Sequence, residues 1–573
     1  MNYTANIKSI ERHYLPKDFQ ISDWKNLEPY LKELLDRQID SKQDLEKWMK
    51  DASEVETVIS EDASWRQIRM TCDTNNKELE NAFVYFVTEI QPHLQNYADK
   101  LNKKLVGSPY TNELEKEKYF TYLRNVRKSI ELFREENIPL QSELSVKAQQ
   151  FGVIAGKMTV DINGQEYTLQ QAAKFLENPD RKLREEVYRK MNERRLQDKE
   201  TLNHLFTDLV QIRNQVGVNA GFENYRDYRF KELGRFDYSK EDCFQFHEAV
   251  KQNVLPLVNE IYERKKKKLG VESLRPWDVE AEPEGIKPLT PFKTGTELLD
   301  KTISCFKNIN PFFAECLSQM NKMNRLDLDS RKGKAPGGYN CPLPETGAPF
   351  IFMNAAGQMG DVTTIIHEGG HAVHSFVTHP LELFSFKEYP MEIAEVASMS
   401  MELFSMDYWK IFFDSKEELL RAKQYQLERV ITIFPWIATI DKFQHWVYEN
   451  PDHSEEQRAK AWMNVLNEFS STAIDFSGLE HYRRYSWQRQ LHLFEVPFYY
   501  IEYGIAQLGA IGLWMQFKQN KEQALSNYTN ALSLGATKTL PELFKTAGLT
   551  FDFSPKHVSE LMKFVHQEMA NLY

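Results

Sequence analysis

The chain has 573 residues, of which 41% are hydrophobic, 13% aromatic and 27% charged. That composition supplies a large core and excludes a disordered chain, and the length accommodates about three or four domains. A formal net charge of −11 argues against nucleic acid as a partner, because a polyanion must be met by a basic face.

Helical periodicity dominates. Apolar residues recur at three- and four-residue spacing over residues 24–50, 74–104, 112–135, 168–213, 240–269, 297–324, 415–449 and 455–470. The start, Met1-Asn2-Tyr3-Thr4, runs into charged and polar residues with no apolar leader. The longest apolar stretch, 496–517, is interrupted by Glu502 and Gln507. Neither a signal peptide nor a membrane span is expected. A hairpin is expected over residues 159–167, where Asn163-Gly164 suits a type I′ turn between alternating residues. The basic run Arg264 to Lys268, followed by Gly270, reads as the last turn of a helix and its left-handed cap. Residues 271–296, with four prolines, read as a connector. Residues 331–349 are too rich in Gly and Pro for regular structure, and read as a cleft wall or lid. A strand is expected at 350–354. The five cysteines are scattered, with no C-x-x-C pair, as in a reduced, cytoplasmic protein. Cys305 and Cys316 are expected on one helix, as buried core.

The chemistry concentrates in His367-Glu368-Gly369-Gly370-His371. On a helix the two imidazoles share one face, one turn apart, within reach of a single Zn²⁺. Glu368 sits about 100° around from His367, beside the metal rather than on it, where it can take a proton from water. The strand at 350–354 precedes this helix, and an edge strand near the metal can pair with an extended peptide. Gly369 and Gly370 each cost roughly 1 kcal/mol in a helix relative to Ala, so a close-packed neighbour or a substrate needs their space. A third ligand is required, and Glu382, Glu388, Glu392, Glu395 and Glu402 are the candidates; spacing alone does not choose. Glu395 lies among small apolar neighbours, where a carboxylate is costly unless paired or ligating. Glu402, seven residues on, is either a partner for a ligand histidine or an exposed helix glutamate. His374, seven after His367, either supports the ligands or packs in the core.

The combination His367-Glu368-x-Gly370-His371-Ala372-x-His374, followed by Ala394-Glu395-Val396-Ala397-Ser398 and Glu402, resembles the thimet oligopeptidase family of zinc peptidases. Residues Phe222 to Tyr228, Arg275-Pro276-Trp277-Asp278, Gly337-Gly338-Tyr339, Pro349 to Asn354 and the segment from His492 to Tyr503 resemble its oligoendopeptidase F branch. The likeness runs from about residue 150 to 560, and the first 150 residues offer no motif. It implies a mainly α fold: a two-lobed clamshell with a deep central channel and a small β-sheet beside the zinc-binding helix. An N-terminal lobe, 1–200, and a catalytic region, 201–573, would interleave in one continuous body.

The resemblance further implies an endopeptidase that hydrolyses internal bonds of short, unstructured peptides, with no membrane partner. One Zn²⁺ per chain would be held by His367, His371 and Glu395, with Glu368 as general base. Tyr503, with His492, would stabilise the oxyanion. Tyr499 and Tyr500 compete for that role, because the spacing here differs from that of the mammalian members. Glu402, His374, Tyr499, Tyr500 and Tyr339 are expected to touch ligands or substrate. A carboxypeptidase or dipeptidase on a related scaffold is the alternative, and a catalytically silent, peptide-binding zinc protein a second. Oligomeric state is not encoded in these motifs.

Overall fold

Helix follows the expected periodicity through most of the chain, and the computed structural model, which describes residues 5–335 and 337–573, shows where it breaks. The run 24–50 is two helices, Trp24–Asp36 and Lys42–Cys72, with Ser41 capping the second by accepting from the Asp44 N–H. The second helix continues well past residue 50 because its inner face is partly polar. Asp51, Ser53, Thr57 and Glu61 are buried, and Glu61 accepts from the backbone N–H groups of Glu345 and Thr346 at 2.8 and 2.9 Å. Such a face carries no apolar signature. The run 168–213 contains helices Arg181–Gln197 and Lys199–Asn219, the first beginning after Pro179 with Asp180 as its cap.

The run 297–324 also divides, into Gly295–Ile309 and Pro311–Lys322. Pro311 lacks the N–H that a continuing helix needs and takes the first helical position instead. Cys305 and Cys316 therefore lie on different helices, not one, although both are buried as expected, and all five cysteines are free. Helix Asn137–Gly156 escaped the periodicity, since Val146 and Val153 sit on its exposed side and blur the stripe.

The hairpin forms as expected. Strands β1 (Thr159–Ile162) and β2 (Gln165–Thr168) pair antiparallel, and Asn163 and Gly164 both take positive φ, 55° and 80°. The basic run ends helix Leu255–Leu269, and Gly270 caps it at φ 65°. A second sheet has strands β3 (Leu326–Asp329), β4 (Tyr339–Cys341) and β5 (Phe350–Ala355) in the order β3-β5-β4. This corrects two expectations. The Gly- and Pro-rich segment 331–349 does contain a strand, β4. And the strand at 350–354 is central, parallel to β3 and antiparallel to β4, so β4 rather than β5 offers a free edge.

The chain forms two units, each assembled from three stretches. The first comprises Met1–Glu131, Leu289–Lys423 and Ala506–Phe551, and holds the three-stranded sheet and the His367–His371 helix. The second comprises Leu132–Pro288, Gln424–Ile505 and Asp552–Tyr573. Among the described residues no helix is long and apolar enough to cross a membrane.

A buried ion cluster ties the second unit. Asp278, with no solvent exposure, accepts from Arg181 Nη2 and Arg184 Nη2 at 2.8 Å each and from the Arg275 N–H at 2.9 Å. Burial alone would raise its pKa, but the two guanidinium groups and the N–H outweigh it and hold the carboxyl below the ordinary range. A lowered folded-state pKa stabilises above the unfolded value, near about 4, and the stabilisation fades as pH falls through the folded value. Asp278→Asn should therefore cost about 3–5 kcal/mol at neutral pH, since Arg184 is left buried without its counter-charge. The difference in urea midpoint between wild type and variant should shrink as pH is lowered below about 4.

Candidate metal centre

Strand β5 feeds a short loop into helix Met359–Thr378, whose start is pinned by Asp361 accepting from the N–H groups of Ala356 and Gln358, each at 2.8 Å. Val362, Ile365, Ile366, Val373, Phe376 and Val377 are buried and fix the rotation of this helix. His367 and His371 then share a face, with ring centroids 4.9 Å apart.

Helix Met391–Ser405 lies against that face at very close range. A Cβ on Gly370 would stand 2.6 Å from Ser398 Cα and 2.7 Å from the Ala397 carbonyl oxygen; one on Gly369 would stand 2.7 Å from the Phe306 ring. The two glycines thus make room for a neighbouring backbone and an aromatic edge. Ala394, Ala397 and Ser398 supply the matching small surface, and the buried Tyr528 hydroxyl donates to the Ala397 carbonyl at 2.8 Å.

This approach delivers Glu395. Its Oε2 lies 3.3 Å from His367 Nε2 and 3.8 Å from His371 Nε2, and the ligand atoms of the three residues all fall within 4.8 Å of one another. Two ligands each about 2.0–2.1 Å from a tetrahedral ion lie about 3.3 Å apart, so the donors are spaced for one ion. Ser398 Oγ donates to Glu395 Oε2 at 3.2 Å. Of the five candidate carboxylates only Glu395 joins the two histidines, among the described residues; Glu382, for one, is engaged by Lys50 and Lys118 at 2.6 Å.

Glu402 Oε1 lies 2.7 Å from His367 Nδ1. With the Nδ1 proton held there, a metal that displaced the Nε2 proton would find that nitrogen's lone pair directed toward Glu395 and His371. Burial opposes a charge on His367, but Glu395 and Glu402 outweigh it and push its pKa well above the ordinary value. Burial drives His371 down to about 4 and Glu368 up to about 7, with Glu395 and Glu402 raising Glu368 further and His367 opposing. Two carboxylates facing two imidazoles in a buried site call for a cation, and the N₂O donor set suits a borderline divalent ion such as zinc.

Glu368 is buried, and its backbone carbonyl accepts from Asn340 Nδ2 at 3.1 Å, which fastens β4 to the motif helix. Nothing in the Gly- and Pro-rich stretch marks Asn340 for this role. Tyr339 stacks on Phe352, with centroids 4.9 Å apart, and its hydroxyl lies 2.6 Å from Thr71 Oγ1, so its contacts are with the sheet's own core. His374 is fully buried and stacks on Tyr389 at 3.5 Å; it does not join the ligand cluster.

The aromatic segment belongs to the second unit. His492 lies in the short helix Leu491–Glu495, Tyr500 and Tyr503 in helix Tyr500–Gln519, and Tyr499 just precedes that helix. The His492 ring is 5.9 Å from Tyr499, 4.8 Å from Tyr500 and 6.0 Å from Tyr503, so all four rings gather into one cluster. Gln490 Nε2 meets His492 Nδ1 at 2.7 Å.

Two helix-borne imidazoles, a carboxylate from the facing helix and a buried glutamate alongside form the outline of a metal-dependent hydrolase. Sequence comparison makes this specific: residues 174–562 match Peptidase family M3 and residues 16–133 match the Peptidase M3 N-terminal domain, and the chain belongs to that family. Residues 16–133, within the stretch that offered no motif, are covered by the second match. The chain is 24% identical over 384 residues to an oligoendopeptidase F homolog of Borreliella burgdorferi, covering 66% of this chain and 63% of that protein. It is 22% identical over 414 residues to oligopeptidase PepF of Bacillus subtilis, covering 72% and 60%. The chain thus spans less than two thirds of the length of these relatives. Its fold matches the structure of PZ peptidase A with an inhibitor at a TM-score of 0.90 and 25% identity, over 96% of this chain and 98% of that one.

Gly370→Ala should lower the stability of the protein by about 1–3 kcal/mol in denaturant unfolding, because the obstructing atoms are backbone. Glu402→Ala should leave the fold intact but weaken metal retention about 10- to 100-fold in a chelator competition, through loss of the His367 anchor.

Proposed function

We propose that this protein is a zinc-dependent oligoendopeptidase that cleaves internal bonds of short, unstructured peptides. The observation that carries the reading is the joint placement of His367, His371 and Glu395, with Glu368 buried beside them. Membership of a peptidase family, and similarity to proteins named as oligoendopeptidases, support the peptide substrate class. His367, His371 and Glu395 would hold a dication, which would supply Lewis-acid polarisation.

The chain's own residues do the rest. Glu368 takes the proton from the attacking water and returns it to the leaving amine. Burial raises its pKa to about 7, so near neutral pH the carboxylate is available to accept the proton and the carboxyl to give it up. The free edge of β4, fastened to the motif helix through Asn340, offers backbone groups to an extended peptide. Tyr503, with His492, donates to the oxyanion as it forms, and Tyr499 and Tyr500 are the competing donors from the same cluster.

Glu368→Gln should bind as much zinc as the wild type and turn over a quenched fluorescent peptide about 10²- to 10⁴-fold more slowly. Near-wild-type turnover would remove Glu368 from the mechanism. Peptides blocked at both termini separate the endopeptidase from a carboxypeptidase or dipeptidase, since only the former cleaves them.

A further inference from the structure

The second unit contains another cluster of metal-ligating side chains, remote in sequence from the motif. Helix Lys240–Ala249 carries Cys243 and His247, four apart on one face. Helix Lys416–Glu449 carries Asp441 and His445, again four apart. All four residues are buried, Asp441 with no solvent exposure and His445 with 2%. The ligand atoms of Cys243, Asp441 and His445 lie within 4.8 Å of one another. Asp441 Oδ2 is 3.3 Å from His445 Nε2, the same nitrogen–oxygen separation as between Glu395 and His367 in the first centre.

We propose that Cys243, Asp441 and His445 form a second metal site, of the kind that holds zinc, within the helical core of this unit. The donor set is chemically apt: a thiolate, an imidazole and a carboxylate are all zinc ligands, and helix bundles build such sites from side chains on facing helices. His247 donates through Nε2 to Asp441 Oδ2 at 2.9 Å and orients the carboxylate, as Glu402 orients His367.

Asp441 is ion-paired with both His247 and His445, yet hydrogen bonding within the cluster is incomplete. His445 Nε2 faces Asp441 Oδ2 at 3.3 Å as an ion-pair contact, while His445 Nδ1, Asp441 Oδ1 and His247 Nδ1 have no hydrogen-bond partner among the described residues. Leaving a buried polar group unsatisfied costs about 1–3 kcal/mol, and coordination would engage one nitrogen of His445 and one oxygen of Asp441. His374 shows the same deficit but has no such thiol and carboxylate beside it among the described residues. The rings of Phe230, Phe244 and Phe498 stand 5.7, 4.9 and 5.4 Å from His445, and the four residues of the cluster are at most 3% exposed, surroundings that strengthen binding of an ion.

The test isolates this site by removing the first. Full-length His367→Ala/His371→Ala protein should retain about one zinc per chain by elemental analysis, falling below about a tenth when Cys243→Ser is added. Loaded with cobalt(II), the double variant should show thiolate-to-cobalt charge-transfer absorption in the near ultraviolet, absent after Cys243→Ser. X-ray absorption of the double variant needs no change at the second site, and should show a sulfur ligand at about 2.3 Å from zinc. A folded double variant that takes up no zinc, or binds it through nitrogen and oxygen alone, overturns the proposal, as does a cobalt band that survives Cys243→Ser.

Discussion

The close approach of two helices governs the first unit. Gly370 leaves no room between its own backbone and that of Ala397 and Ser398. Two glycines in the middle of a helix cost roughly 2 kcal/mol in propensity, yet Gly370 sets the distance at which Glu395 meets His367 and His371, and Gly369 makes room for the Phe306 ring. Interfaces of this kind do not deform continuously; a single methyl group forces the helices apart or the side chains out of their rotamers. Donor separations of 3.3 and 3.8 Å are therefore a product of packing first and of ligand chemistry second. The Tyr528 hydroxyl on the Ala397 carbonyl and the Asn340 amide on the Glu368 carbonyl hold the same backbones from two other elements.

That packing brings three carboxylates, of Glu368, Glu395 and Glu402, around two imidazoles. Charges so placed would be prohibitive without compensation. The pattern of shifts shows how it is divided: His367 is driven toward its cationic form, while burial keeps Glu368 neutral up to about 7. A dication held by His367, His371 and Glu395 would take over the compensating role of the His367 proton and would lower the pKa of the neighbouring carboxyl. The second unit solves its own buried-charge problem differently at Asp278, where two arginines and a backbone N–H surround one carboxylate. The contrast is chemical: an arginine pair satisfies the carboxylate fully, whereas the histidines and carboxylates of the first unit need a cation.

The legibility of these features in the sequence follows from their range. His367 and His371 declare themselves because four-residue spacing on one helix is a local fact. Glu395 does not, since five carboxylates follow the motif and only tertiary packing selects one. The length of helix Lys42–Cys72 was hidden by the polar residues on its buried face, above all Glu61, which serves the loop at Glu345 and Thr346 rather than a hydrophobic core. β3 and β4 are short, and β4 lies in a stretch whose prolines and glycines argue against any strand; its three residues pair because β5 offers an edge. The His492–Tyr503 cluster was readable as a set of residues, but its gathering depends on a turn at Phe498, where φ is 66°, a conformation that a phenylalanine does not advertise.

The same reasoning explains how a chain with only 25% identity to PZ peptidase A can match its fold at a TM-score of 0.90. A core built from helix faces accepts many exchanges of similar volume, because ridges and grooves can be refilled by other apolar side chains. The helix contact at Gly370 has no such latitude: its spacing is set by backbone atoms, and nothing larger than hydrogen fits. Nor has the pairing of Glu402 with His367 at 2.7 Å, which requires an acceptor of one length at one height on the helix. Tolerance and intolerance to change thus coexist along one helix, separated by a single residue between Gly370 and the buried Ala372 and Val373. The fold rests on the tolerant majority, and the chemistry on a few contacts at backbone range.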